Sequence, residues 1–454
     1  MTTQQQADNR QAVDKQNWFD INSKEGKNMS EITRRRFIQT TGAGMAAAPF
    51  VTSRVWGQHS PNETINHAVI GTGGQGGGHV RSFQNSTGCE VVAVCDVDPR
   101  NLKKAAENAA ANVRTYTDFR KLLEDESIDS VSIATPDHWH TPIALAALMA
   151  DKHVYVEKPC SHNIYEASLL KKAAKQYNKC VQHGTQRRSK GDHIEGIRLL
   201  REGAIGDVYV HKAINHQHRG KIGKAKPKTP PEGVDYDLWL GPAPKVPFTK
   251  NRWHYEWHWF WDYGGGDVVN DGIHQIDVSI WAMGDRYPNR MVTTGGMFYY
   301  NDDHETPDTL MAIFDYDDGQ IIFEQRLYTD YKLEGHDNGN VAYGTKGRME
   351  FGRKGVIVYP NDGDSYQVKS SEPVEGIVQN FLTAVRANDP SLLNSPIERG
   401  AVSSDLCNLA NIAYRTGIAD LRFDPMKVEI TNSAEANALV RRSYRKGYEL
   451  PYKG

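Results

Sequence analysis

The chain has 454 residues, 39% of them hydrophobic, with 54 basic and 56 acidic side chains and a formal net charge of −2. That length exceeds one simple core and suits two domains with extensions. The balanced charge excludes the basic surplus that draws nucleic acid, and no stretch is long and apolar enough for a stable membrane span.

Residues 1–28 are polar and aperiodic, which reads as a disordered extension or a mis-assigned start. Met29 offers an alternative start ahead of Arg34-Arg35-Arg36-Phe37-Ile38. The mild apolar stretch through Ala46-Ala47-Ala48 then completes a twin-arginine export signal and linker over 29–60. The expectation is passage through the twin-arginine machinery to the periplasm. The alternative is a basic helix start on a cytoplasmic protein.

Residues 62–185 read as a wound α/β unit. Ile65–Ile70 is a short apolar run rich in β-branched residues, hence a strand. It runs directly into Gly71-Thr72-Gly73-Gly74-Gln75-Gly76, a G-x-G-x-x-G turn. Gly71 allows the tight turn, Gly73 admits a pyrophosphate to the backbone, and Gly76 lets the following helix pack closely. A second strand, Val91–Cys95, ends at Asp96, about 20 residues on, where an acid meets an adenosine ribose. A carboxylate there repels a 2′-phosphate, so NAD is favoured over NADP, with Arg100 near enough to soften the preference.

The alternation continues. Asp118 to Glu124 suggests a helix start and Ser130–Ala134 a buried strand. Thr141–Ala150 reads as a helix capped by Thr141, with Pro142 in its first turn. His153–Val156 is a strand, Ala167–Tyr177 a helix and Cys180–His183 a further strand. Such alternation means a parallel sheet with right-handed crossovers. Two loops then share its carboxyl edge: Thr135-Pro136-Asp137-His138-Trp139-His140 and Glu157-Lys158-Pro159. Ligands of open α/β sheets sit there.

Residues 186–425 have another character. Asp207–Ile214, Met291–Tyr300, Thr309–Asp315 and Gln320–Arg326 alternate like strands with one buried face. Lys221–Lys228 is read as a solvated loop. Arg252–Tyr263 is densely aromatic. Its Trp257 and Trp261 are candidates for stacking on a sugar, or for packing at a domain or subunit interface. His254 with His258, and His138 with His140, could pair on a metal. Neither pair has an evident third ligand, so no metal is expected. The five cysteines, Cys89, Cys95, Cys160, Cys180 and Cys407, are odd in number and scattered. They suggest neither a zinc site nor a disulfide framework. The tail, 426–454, is rich in arginine and tyrosine and is expected to pack on the body or on a neighbour.

The glycine turn, the Thr135-Pro136 loop ending in His140, Glu157-Lys158-Pro159, and Gly264-Gly265-Gly266 followed by Gly272-Ile273-His274-Gln275-Ile276-Asp277 together resemble the Gfo/Idh/MocA oxidoreductases over about residues 62–425. The resemblance implies a Rossmann domain followed by an α+β domain with a large open, mainly antiparallel sheet covering the nicotinamide. It implies a nicotinamide-dependent enzyme acting on a sugar, polyol or glycoside. Lys158 matches the lysine beside nicotinamide and substrate, and His274 the acid/base histidine. Many members carry an aspartate four residues before that histidine. This chain has Asn270 there, with Asp271 following. Gly71, Gly73, Gly74, Gln75, Gly76, Asp96, Thr135, Pro136, His140, Glu157 and Lys158 would surround the cofactor. Trp257, Trp261, Asn270 and His274 would meet the substrate.

Histidine titrates near neutrality and suits removal of a hydroxyl proton, while a lysine ammonium stabilises charge developing on oxygen. Two other readings share the fold: a redox-neutral, NAD-dependent glycosidase or lyase, and a non-catalytic sugar sensor. Retention of both Lys158 and His274 weighs against the sensor. Export adds one expectation: with no supply of free nucleotide outside the cytoplasm, the cofactor would stay bound through turnover. A homo-oligomer formed through the C-terminal sheet is the expected assembly.

Overall fold

The computed structural model describes residues 64–370 and 372–453. The expected extension (1–28) and export signal (29–60) lie outside the described residues.

Six strands build the first sheet: β1 (Ile65–Ile70), β2 (Cys89–Cys95), β3 (Arg114–Tyr116), β4 (Ser130–Ile133), β5 (His153–Val156) and β6 (Val181–His183). All neighbours run parallel, in the order β3-β2-β1-β4-β5-β6. This is the doubly wound Rossmann order, with the crevice where the chain reverses direction between β1 and β4. β4 and β5 are buried at every residue, as strands covered on both faces must be. β3 was not anticipated. It is a three-residue edge strand, too short and too exposed to show a pattern.

The helix expected from Thr141 begins earlier, at Asp137, and runs to Met149 with Pro142 inside it. An interior proline deprives the carbonyl four residues back of its partner. Here that carbonyl belongs to His138, and Arg442 Nη2 donates to it at 2.6 Å. Thr141 is not a cap; its hydroxyl donates to the Cys160 carbonyl at 2.8 Å. The next helix starts at Ile164 rather than Ala167, because Asn163 caps it by accepting from the Glu166 N–H.

The second sheet has eight strands: β7 (Val208–His216), β8 (Arg290–Gly296), β9 (Thr309–Tyr316), β10 (Gly319–Arg326), β11 (Asn338–Gly344), β12 (Gly347–Gly352), β13 (Gly355–Pro360) and β14 (Tyr366–Gln367). Their order is β14-β13-β12-β11-β7-β10-β9-β8, antiparallel except for the β7/β10 pair. The four expected strands are present. β11 hid its alternation because Asn340 stands on its buried face, donating to the Gln275 carbonyl and to Ser279 Oγ. One face of the sheet packs Phe314 and Phe323 against Ile273, Ile276, Leu406 and Leu409 of the helices Gly272–Ala282 and Ile397–Thr416.

The chain then returns to the first domain. The helix Ile377–Ala387 places Phe381, Leu382 and Val385 with Val69 and Phe83. The tail packs on the body: Tyr444 donates to Glu166 at 2.9 Å, and Leu450 and Tyr452 join the first core. Among the described residues no helix is long and apolar enough to cross a membrane.

Candidate active site

A cleft of about 720 Å³ opens at the carboxyl edge of the Rossmann sheet, roofed by the aromatic segment of the second domain. The glycine turn forms its floor. Gly71 has φ +80°, and a Cβ there would meet Thr135 backbone and side chain at 2.8 Å. A Cβ on Gly76 would strike the Gly71 carbonyl at 1.7 Å, so this glycine allows the helix Gly74–Gln84 to sit against the turn. Gly74 has open space where a Cβ would be, and Gly73 faces only Asn101 Nδ2 at 3.6 Å. That open side belongs to the cleft. The first N–H groups of the helix have no partners within it and attract an anion. The turn therefore fits a dinucleotide pyrophosphate.

Asp96 ends β2 and lines the cleft. Its carboxylate accepts from the Thr72 N–H at 2.7 Å and the Asp98 N–H at 2.8 Å, which fixes its orientation. Burial pushes its carboxyl upward against the pull of these bonds. Arg100, expected to soften the charge, instead folds onto Asp98 at 2.6 Å. His254 of the second domain approaches the same Asp98 at 3.5 Å.

Glu157 is buried. It accepts from Gln75 Nε2 at 2.9 Å and pairs with His79 Nε2 at 3.0 Å. Burial alone would raise its carboxyl; the His79 hydrogen bond and charge, Lys158 and Gln75 outweigh that and hold it down at about 2. Glu157 thus braces the glycine helix against β5 from the edge of the cleft. His140 plays a similar part. Its Nε2 faces the Thr135 carbonyl at 2.8 Å and its Nδ1 the Pro159 carbonyl at 2.5 Å, so it ties the two edge loops together. Thr135 and Pro136 line the cleft beside it, and the Lys158–Pro159 peptide is cis.

Lys158 leaves the end of β5 towards the second domain. Its Nζ donates to the Asn270 backbone carbonyl and, at 3.3 Å, to the Asn270 side-chain oxygen. Asn270 Nδ2 donates to Asp267 Oδ1 at 3.0 Å and to the Tyr255 hydroxyl at 3.1 Å. Asp267 is wholly buried and paired with Arg219 at 2.9 Å. The helical turn Asp267–Asn270 therefore already carries a carboxylate one turn before Asn270. This accounts for asparagine at the position: it donates to one carboxylate while accepting from the lysine, which an ionised aspartate cannot do.

His274 lines the same cleft. Burial, then the charges of Lys158 and Arg187, hold its ring well below the usual histidine range, so it is neutral at pH 7. Its Nδ1 has no hydrogen-bond partner among the described residues. The Asp271 carboxylate accepts from Gln217, just past β7, and from Asn338 at the start of β11. Asp271 is not among the residues that line the cleft, although its carbonyl accepts from the His274 N–H at 3.0 Å and the Lys158 charge acts on its carboxyl.

The aromatic segment divides. Trp253, Tyr255 and Trp257 line the cleft, whereas Trp259 is buried in a cluster with Phe260 and Tyr263. Trp261 is not brought to the cleft. The turn Glu256–Trp259 rotates it to the far side, where Arg415 lies over its ring at 4.9 Å. Of the four histidines in the two candidate metal pairs, His138, His140 and His258 face backbone carbonyls, and His254 faces the Asp98 carboxylate. Among the described residues no group of three His, Cys, Asp or Glu side chains is placed to hold a metal ion. Sequence reasoning missed Tyr255. Its hydroxyl accepts from both Asn270 and Arg219, leaving its own proton for the cleft. Its place in an aromatic run drew attention to the tryptophans instead.

The fold and this cleft define a two-domain nicotinamide-nucleotide oxidoreductase scaffold. Residues 65–185 match the family model for an oxidoreductase NAD-binding Rossmann fold, and 213–450 that for the C-terminal alpha/beta domain. The chain belongs to the Gfo/Idh/MocA oxidoreductase family. It is similar to a glycosyl hydrolase family 109 protein of Shewanella woodyi, 28% identical over 44% of this chain and 49% of the relative. It is also similar to inositol 2-dehydrogenase of Salmonella typhimurium, 30% identical over 33% of this chain and 45% of the relative. The chain thus spans about half the length of the curated relatives it matches. Among solved structures, it resembles the aldose-aldose oxidoreductase of Caulobacter crescentus complexed with glycerol, at TM-score 0.62 and 17% identity over 79% of this chain and 100% of that one. The WlbA dehydrogenase of Bordetella pertussis, in complex with NADH and UDP-GlcNAcA, aligns at TM-score 0.60 and 18% identity over 80% and 99%. At these identities the structural likeness speaks for the fold.

Proposed function

We propose that the protein binds NAD and oxidises a carbinol of a sugar, polyol or glycoside. The observation that carries this reading is the meeting of Lys158, His274 and the glycine turn in one cleft. The neutral imidazole of His274 takes the hydroxyl proton at a ring nitrogen. Lys158 has three N–H donors; two serve the oxygens of Asn270, and the third stabilises charge on the substrate oxygen. When bound, the nicotinamide supplies the hydride acceptor. The Tyr255 hydroxyl and the Trp257 ring supply a polar tip and a flat face for a sugar. Asp96 and Asp98 at the adenosine end, with Arg100 committed to Asp98, support NAD over NADP.

The family 109 likeness favours a second reading, in which the same cleft cleaves a glycoside without net oxidation. The inositol 2-dehydrogenase likeness favours net oxidation. Both readings fit export by the twin-arginine route with the nucleotide carried along, and assembly through the open face of the second sheet, where Tyr209 and Met311 are exposed.

The test is to dialyse the full chain, identify the retained nucleotide by mass spectrometry, and assay sugars and glycosides with and without added NAD. Retained NAD is expected, with turnover without added nucleotide, because the hydride returns either to a second, carbonyl-bearing substrate or to the oxidised carbon within one cycle. Lys158→Ala and His274→Ala should keep the nucleotide and lose turnover by about 10²–10⁴-fold. Near-normal turnover in both variants would overturn the proposed chemistry.

A further inference from the structure

The adenosine end of the cleft has one wall that the second domain supplies. Between 231 and 254 the chain reaches back to the carboxyl edge of the Rossmann sheet. The Asp235 N–H donates to the carbonyl of Val97, the residue after Asp96, at 3.2 Å. A Cβ on Gly233 would stand 3.0 Å from the Pro99 ring, so the backbone passes close there. The short helix Tyr236–Leu240 follows, capped by Asp235, which accepts from the Leu238 N–H at 2.8 Å. Leu238 and Trp239 of this helix line the cleft together with Trp139, Asp96 and Phe119.

A helix of five residues does not hold itself together, and its last carbonyls need partners. Those partners come from two other parts of the chain. From the Rossmann domain, Trp139 Nε1 donates to the carbonyls of Leu238 and Trp239, at 3.1 Å each. Gly241, at φ +49°, ends the helix on that ring; a Cβ there would lie 2.0 Å from Trp139 Cζ2. From the C-terminal tail, Arg445 takes the remaining carbonyls. Its N–H donates to Pro242 at 3.1 Å, its Nε to Gly241 at 2.7 Å and its Nη2 to Asp237 at 2.6 Å. Its Nη1 pairs with the Asp237 carboxylate at 2.6 Å, to which the Tyr448 hydroxyl also donates at 3.2 Å. The Tyr448 ring meets Trp139 edge to face, with centroids 5.8 Å apart.

The wall is gripped from both sides, by Trp139 within the cleft and by Arg445, which does not line it. A guanidinium suits this task, because its planar fork reaches two carbonyls and a carboxylate at once. We propose that the tail is a clasp on the nucleotide: Arg445 is a positioning residue that holds Leu238 and Trp239 against the adenosine half and sets how slowly the nucleotide leaves. This rests on the reading of the cleft as an NAD site and names what retains the cofactor there. Release then requires local opening of this wall, and the strength of the clasp governs its rate.

The full chain, loaded with NADH and chased with excess NAD, reports release as loss of NADH fluorescence. Arg445→Ala should release NADH about tenfold faster or more, the share of one charge-assisted hydrogen bond. The number of nucleotides bound per chain should stay at the parent's value, whereas a merely destabilised chain would bind fewer at the parent's rate. ADP-ribose, which keeps the adenosine and lacks the nicotinamide, should leave faster by the same factor when displaced by excess NADH. Lys158→Ala, altered at the other end, should release ADP-ribose as the parent does. Asp237→Asn, which removes a half-exposed carboxylate from the grip, should speed release about two- to fivefold, and decides the matter if Arg445→Ala does not fold. Release from these tail and helix variants at the parent's rate, faster release of NADH without ADP-ribose, or faster release of ADP-ribose in Lys158→Ala would each overturn the clasp. A parent that binds neither nucleotide would overturn the cofactor reading along with it.

Discussion

Restoring the family aspartate by Asn270→Asp brings a new carboxylate within 3.0 Å of Asp267, inside the protein. At an effective dielectric of about 20, two unit charges at that distance repel by about 5–6 kcal/mol. Lys158 at 3.3 Å attracts the new carboxylate by about 5 kcal/mol on the same footing, so the charge terms nearly cancel, and the lost Asn270 Nδ2 bond to Asp267 leaves a net penalty of about 2–3 kcal/mol. At about 1.4 kcal/mol per unit, that raises one carboxyl by about two units in the folded state. The sign follows from linkage. A carboxyl raised on folding holds more protons folded than unfolded, so the variant loses stability relative to the parent as pH rises from about 4 to about 6. Above that window the loss is constant. Urea unfolding of parent and variant at pH 4, 5, 6, 7 and 8, with equal nucleotide loading, measures the difference directly. A variant as stable as the parent at pH 8, or a difference that does not change between pH 4 and pH 6, would refute this account of Asn270.

Asp96→Ala should weaken NAD by about 1.5–3 kcal/mol and narrow its advantage over NADP, measured by binding titration with both nucleotides. Glu157, held at about 2 in the fold, contributes stability that is present above its unfolded pKa and lost as pH falls from about 4.5 to 2. Glu157→Gln should therefore be less stable than the parent at pH 7 and lose less on acidification through that window, read by thermal unfolding. Arg442→Ala strands the His138 carbonyl and the buried Glu166 carboxylate together, so it should cost about 3–5 kcal/mol. Replacing Pro142 by alanine in that background should recover part of the loss, because the residue regains the N–H that His138 needs.

The parallel sheet and nucleotide turn were legible because their signals are local. A β-branched run, a glycine turn with φ above zero and an acid at the next strand end follow one another within some thirty residues, and each constrains its neighbours directly. The Glu157-Lys158-Pro159 loop was placed by the same logic, since it ends a strand that is buried throughout. What stayed hidden depends on residues far apart in the chain. The helix through Pro142 forms because Arg442, 304 residues beyond His138, supplies the missing donor. Asn270 can be an amide because Asp267, fixed by Arg219 and by Asn215 of β7, already places a carboxylate one turn earlier. Trp257 and Trp261 are four residues apart and equivalent in composition, yet a single short turn sends one into the cleft and the other beneath Arg415. Sequence sets which local conformations are cheap. Which side chains meet is decided by long-range partners, and only the folded chain brings them within hydrogen-bond distance.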